Sequence, residues 1–170
     1  STRKAIALNP NIADAHYNLG VILRKLGKLN EAEISSRKAI KLKPKKFNFY
    51  FLLSDILIEK KKFQEAEQYL RKSTELNPDF FHAHLNLGGV LKNIGKLDEA
   101  KIATSNAIKV NPNLAEAHNN MGSILKELGE LKEAEFSARR AVELNPNYTK
   151  AHKNLASILQ IDQPKIKNKS

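Results

Sequence analysis

The chain has 170 residues, of which 41% are hydrophobic, too apolar for a wholly disordered segment and long enough for one domain or a short repeat array. It contains no cysteine, which excludes disulfides and thiolate metal sites, and no run approaches the roughly 18 uncharged apolar residues that cross a bilayer. The net charge of +11 lies at the ends: residues 1–46 hold 11 basic and 3 acidic side chains and 149–170 hold 5 and 1, against 13 and 14 between them. The first residues lack the basic-then-apolar layout of a secretory signal. A soluble chain is expected, with no membrane partner and with the cytoplasm as its expected compartment.

Prolines stand at Pro10, Pro44, Pro78, Pro112 and Pro146, each 34 residues after the last, and four of the five follow Asn. A fixed period of this size signals a repeat array. Counted from each proline, the tenth residue is Gly20, Ser54, Gly88, Gly122 and Ala156, and the twenty-second is Ala32, Ala66, Ala100 and Ala134. Small residues at both places predict two backbones in close approach. The seventeenth is Gly27, Lys61, Gly95 and Gly129, where a left-handed residue would end a helix. Each period is therefore read as two helices joined by a turn.

In chain order, residues 1–12 read as the second helix of an incomplete unit, with Ala5, Ile6 and Leu8 lacking an upstream partner. This suggests a piece of a longer protein, or self-association with another chain through the N-terminal end. Four full units follow at 13–46, 47–80, 81–114 and 115–148. In the last of them Ala117, Met121, Ile124, Leu125 and Leu128 form the apolar stripe of the first helix. Leu131, Ala134, Ala138, Ala141, Val142 and Leu144 form that of the second. Proline stops each second helix. The unit at 47–80 diverges, reading "KKFNFYFLLSDILIEKKKF" with Phe49 in place of alanine and Lys61 in place of glycine. Residues 149–161 read as a lone capping helix, and 162–170 as a disordered basic tail.

Small, small and proline at these offsets over 34 residues resemble the tetratricopeptide repeat, and the match spans nearly the whole chain. The resemblance implies an all-α fold, a right-handed superhelical α-solenoid of helix-turn-helix hairpins whose first helices line a concave, peptide-binding groove. One hairpin cannot bury its apolar stripe alone, so stacking is required. The stretch "AHKNLASIL" is similar to repeats of the O-linked N-acetylglucosamine transferase superhelix, in which such asparagines form a ladder. The aromatic that the family often has six residues after proline is His16, Tyr50, His84, His118 and His152 here.

The residues 4, 7, 8, 11, 14 and 15 after each proline share the face opposite the packed stripe. Asn18, Asn86, Asn120 and Asn154 recur on it, in "ADAHYNLG", "FHAHLNLG", "AEAHNNMG" and "TKAHKNLA", and Leu52 interrupts the series. A row of amides offers donors and acceptors to the backbone of an extended peptide; the alternative role is to satisfy a neighbouring helix end. Tyr17, Phe51 and Leu85 add an apolar stripe for specificity, and Asn119, Lys92 and Lys126 share the face. Exposed apolar clusters mark contact sites; the alternative is that local packing buries these side chains.

The expectation is a non-catalytic scaffold that binds a protein or peptide segment, with no cofactor. A second reading makes the array the substrate-recruiting arm of a glycosyl- or sulfotransferase. Nucleic-acid binding is disfavoured: the basic residues of "KAIKLKPKKF" sit where a second helix ends and suit its dipole, and "KIKNKS" reads as tail. His16, His84, His118 and His152 belong to different units, too far apart to share one metal ion. No phosphate loop, nucleophile elbow or zinc-binding helix occurs. The pair of positions at which some relatives grip a terminal carboxylate with lysine and asparagine holds Tyr17 and Val21, Phe51 and Asp55, Leu85 and Gly89, Asn119 and Ser123, and Lys153 and Ser157, so that grip is absent.

Overall fold

The computed structural model describes residues 12–162, which form nine α-helices with no strand among the described residues. They are α1 (Ala13–Lys25), α2 (Leu29–Leu42), α3 (Phe47–Glu59), α4 (Phe63–Leu76), α5 (Phe81–Asn93), α6 (Leu97–Val110), α7 (Ala115–Glu127), α8 (Leu131–Leu144) and α9 (Thr149–Asp162). Consecutive helices pack as hairpins, each second helix also contacts the first helix of the next hairpin, and the whole is a right-handed superhelical α-solenoid. The expected half-unit before Ile12 and the basic tail after Asp162 lie outside the described residues.

Every hairpin turns in one way. Gly27, Gly95 and Gly129 have φ of +72°, +80° and +80°, and the following N–H returns to a carbonyl five residues back, as in Lys28 to Leu23 and Lys96 to Leu91, both at 2.9 Å. This is the left-handed helix stop that glycine adopts without a Cβ penalty. Lys61 makes the same turn with φ of +58°, and Lys62 N–H reaches Leu57 O at 2.8 Å. Between hairpins, the asparagine before proline caps the link: Asn77, Asn111 and Asn145 Oδ1 accept from the N–H two residues on, at 3.2, 3.3 and 3.2 Å.

The small positions hold paired helices close. A Cβ added to Gly122 would lie 3.1 Å from Ala134 O, and one on Gly88 only 2.2 Å from Thr104 Oγ1. The largest apolar cluster runs from α3 to α7 through Leu53, Leu57, Leu70, Leu87, Leu91 and Ile124, with smaller clusters toward either end. Second helices are tied to one another by ion pairs: Arg37 reaches Glu65 and Arg71 reaches Glu99. Glu33 holds Lys60 at 2.6 Å, and Glu67 holds Lys96 at 2.9 Å. Glu65 and Glu99, in the first turns of α4 and α6, thus bridge adjacent units.

Candidate functional site

The leading helices α1, α3, α5, α7 and α9 present the open face, and a repeated bridge joins most of them. A cation fourteen residues after one proline reaches the next unit at its eleventh and fifteenth residues. Arg24 Nη1 meets Asp55 at 2.7 Å and its Nε meets Glu59 at 2.6 Å. Lys92 Nζ donates to Ser123 Oγ at 3.0 Å and meets Glu127 at 3.3 Å. Lys126 Nζ donates to Ser157 Oγ at 3.3 Å. At the junction of α3 with α5 the equivalent residues are Ile58, Gly89 and Asn93, so no cation crosses there.

That junction is built differently. Direct contact joins α1 to α3, α5 to α7 and α7 to α9, whereas contact between α3 and α5 is slighter than any of these. Asn86 spans it from the other side, its Nδ2 donating to Asp55 Oδ1 at 2.8 Å. A recess of about 270 Å³ opens beside them, with Arg24, Asp55, Ile58, Glu59, Gly89, Asn93, Glu116 and Asn120 in its lining. A second recess of about 470 Å³ adjoins it between α1 and α3, walled by Tyr17, Val21 and Phe51 and sharing Arg24, Asp55 and Glu59. Burial pushes the Asp55 carboxyl above its ordinary range even though Arg24 opposes the shift. Burial lowers the Arg24 guanidinium, but Asp55 and Glu59 outweigh it and the net shift is upward.

The residues expected on this face divide into three groups. Asn18 is exposed and Asn120 half-buried, and neither side chain makes a hydrogen bond among the described residues. Asn86 and Asn154 each hold the unit before: Asn154 Nδ2 donates to the Asn119 carbonyl at 3.1 Å and faces Asn119 Oδ1 at 3.4 Å. Lys92 and Lys126 are likewise engaged in the bridges above. The apolar stripe is partly withdrawn. Tyr17 stacks on Phe49 at 5.0 Å between ring centroids, Phe51 meets Phe80 edge-on at 4.8 Å, and both remain half-buried. Leu85 differs from the expectation of an open stripe, being 5% exposed against Ala107 and Ala117. Leu52, also 5% exposed, packs with Leu23 and Ile56.

The histidines have a local task. His84, His118 and His152 Nε2 lie 2.8, 2.9 and 2.7 Å from the carbonyls of Pro78, Pro112 and Pro146, and Tyr50 Oη donates to Pro44 O at 2.8 Å. They close the proline link of their own unit. Among the described residues no group of histidines and carboxylates is placed to hold a metal ion, and no helix is long and apolar enough to cross a membrane. Sequence reasoning missed the contribution of Asp55, Glu59, Gly89 and Glu116 to one recess. The available signal was the departure of Ile58 and Gly89 from the pattern of Arg24, Lys92 and Lys126 above Asp55, Ser123 and Ser157.

Family models described as tetratricopeptide repeat match residues 2–34, 47–80, 81–114 and 115–148. Among solved structures, YrrB, a TPR protein with an unusual peptide-binding site, superposes with a TM-score of 0.83 at 23% identity, over 95% of this chain and 83% of that one. MamA from Desulfovibrio magneticus RS-1 gives 0.82 at 20% identity, over 88% and 85%. The thermophilic TPR protein TTC0263 of Thermus thermophilus gives 0.71 at 24% identity, over 94% and 87%. No curated protein matches the sequence.

Proposed function

The chain belongs to the tetratricopeptide repeat family, and from that premise we propose that it is a non-catalytic interaction scaffold holding an extended peptide or protein segment along its concave face. The observation that carries this reading is the pair of adjoining recesses spanning α1, α3, α5 and α7, which share the Arg24, Asp55 and Glu59 side chains. Tyr17 and Phe51 wall the first recess, and side-chain anchors of this kind dominate binding when a partner covers them. Asn18 and Asn120 keep a full amide, with two donors and an acceptor oxygen, for a ligand backbone. Asn86 spends one N–H on Asp55 and retains its oxygen and second N–H. The amide row therefore acts in two capacities, bracing the stack at Asn86 and Asn154 and meeting the ligand mainly at Asn120. Lys92, Lys126 and Asn119 act through the neighbouring helices that they bridge, and Leu85 supports the floor.

A peptide-array screen tests this. Wild type is compared with Phe51→Ala, and with an Asn86→Ala, Asn120→Ala double variant. Peptides selected by the wild type should bind each variant about tenfold more weakly, the size expected when an aromatic anchor or two backbone-directed hydrogen bonds are lost. Unchanged binding by both variants would remove the concave face from the mechanism.

A further inference from the structure

Resting on the concave-face reading above, we infer that the recess between α3 and α5 selects a basic side chain, lysine or arginine, on the bound segment. The bridge pattern is the starting point. Three junctions of leading helices carry a cation inserted over the next helix, from Arg24, Lys92 and Lys126. The fourth, from α3 to α5, has Ile58 in the cation's place and Gly89 where the cation would land. The slight contact between these two helices leaves the space open.

Gly89 strengthens the point. Glycine inside a helix costs backbone entropy and is usually retained for a close approach. Its neighbour Gly88 has that reason, with Thr104 Oγ1 only 2.2 Å from where a Cβ would stand; at Gly89 an added Cβ meets nothing within 4 Å. The missing side chain here enlarges an open recess and relieves no crowding. A side chain entering from outside therefore finds room over Ile58 and Gly89, an apolar floor suited to the methylene stem of lysine or arginine.

The charge around the opening is complementary to such a head group. In a protein of net charge +11, this recess is lined by Asp55, Glu59 and Glu116 against the single cation Arg24, a local balance of minus two. Arg24 satisfies one carboxylate oxygen of Asp55 and one of Glu59, and Asn86 takes the other Asp55 oxygen. Glu116 is exposed, and Asn93 and Asn120 line the same space, each with an amide oxygen that can accept from a cation. An incoming ammonium or guanidinium completes at this junction the cation-over-helix arrangement that the protein supplies for itself at the other three.

The test uses acetylated, amidated peptides selected by the array screen, each made with arginine, lysine or the neutral isostere citrulline at one position. Affinity is read by fluorescence anisotropy at low and high salt. Arginine and lysine peptides should bind wild type about tenfold tighter than citrulline peptides, as expected for a charge-assisted hydrogen bond, and the margin should shrink with salt. Ile58→Lys supplies the missing cation from within and should abolish the margin while leaving citrulline binding in place. Glu116→Gln, an exposed change harmless to the fold, should reduce the margin to about threefold and serves on its own if Ile58→Lys fails to fold. Equal affinities for arginine and citrulline peptides on wild type, with both weakened by Phe51→Ala, would overturn the basic-side-chain selection and leave the scaffold reading standing. Absence of binding by any peptide, or binding indifferent to Phe51→Ala and to the Asn86, Asn120 double variant, would overturn both.

Discussion

Adjacent glycines in α5 show how little residue type says until geometry is known. Gly88 and Gly89 look alike in the sequence, yet one is a packing requirement and the other an opening. Gly88→Ala forces a Cβ onto Thr104 Oγ1, 2.2 Å away, and should destabilise the fold by about 1–3 kcal/mol. A Thr104→Ala change should recover part of that loss. Gly89→Ala meets no atom within 4 Å and should stabilise by about 0.5–1 kcal/mol, the helix-propensity difference. Urea midpoints of the two variants should move in opposite directions; movement in the same direction would refute the distinction. The repeat alignment made Gly88 legible as a contact because Ser54 and Gly122 share its offset; at the next offset it marked Gly89 only as a departure from Val21, Asp55 and Ser123, and geometry was needed to read that departure as an opening. Lys61 is the converse case: its offset is glycine in every other unit, and it carries the left-handed φ of +58° that those glycines adopt. Left-handed geometry costs a residue with a Cβ roughly 1–2 kcal/mol, part of which glycine returns as chain entropy in the unfolded state. Lys61→Gly should therefore raise stability by about 1 kcal/mol and the melting midpoint by a few degrees.

Single helices were legible at both ends for physical reasons visible in the sequence. Glycine at the left-handed stop and proline after the second helix mark boundaries whatever the surroundings, so α1 to α8 fall where the punctuation places them. What the helices do to one another was not legible, because it depends on residues 27 to 35 positions apart whose pairing only the stacking angle decides. The offset-six histidines are a local contrast: standing where the family often has an aromatic, they approach the proline carbonyl six residues back in their own unit, as Tyr50 does. The ion pairs between units are the case in point, and those of Glu33 should govern the acid stability. Burial pushes the Glu33 carboxyl up, but hydrogen bonds from Lys60 and Arg37 outweigh it and bring the group down to about 2 from an ordinary 4.5. A carboxylate whose folded pKa is depressed stabilises the fold fully above its unfolded value and loses that contribution as pH falls through the folded one. Stability should accordingly decline between about pH 4.5 and 2, by on the order of 1–2 kcal/mol from Glu33 once solvent screening is allowed for. Asp55, shifted upward by burial, runs the other way, favouring the fold as it protonates and offsetting part of this acid limb. Glu33→Gln should flatten the decline, as measured by urea midpoints over that range. An unchanged slope would assign the acid limb to Glu67 and Asp14, which are also held below their ordinary range.

Across the whole molecule, a constant pitch of 34 residues does not produce a uniform stack. The largest apolar cluster joins α3 to α7, with the big side chains Leu53, Leu57, Leu70 and Leu91 fully or nearly fully buried in it. Alanines and a few larger side chains make up the cluster between α7, α8 and α9. In a solenoid each unit touches only its neighbours, so stability is a sum of local and nearest-neighbour contributions and unfolding need not be concerted. The uneven core then predicts a gradient. Amide hydrogen exchange should be slowest in α3 to α6 and faster in α8 and α9, where opening requires fewer apolar contacts to be broken. Two substitutions separate a gradient from a single cooperative unit. Ile158 is fully buried at the α9 end, against Leu125, Ala134 and Ala138; Ile158→Ala should cost about 2–4 kcal/mol locally and speed exchange in α7 to α9 while leaving α3 to α5 protected. Leu53 is fully buried in the central cluster, and Leu53→Ala should lower protection on both sides of it, because the flanking units lose their common neighbour. The recess between α1 and α3 lies away from the α9 end and should keep its shape when that end opens, whereas the second recess, which α7 helps to line through Glu116 and Asn120, should loosen with it. Peptide affinity should therefore fall less with Ile158→Ala than with Leu53→Ala; equal loss of exchange protection across all helices in both variants would show that the array opens as one body and that the centre holds no separate stability.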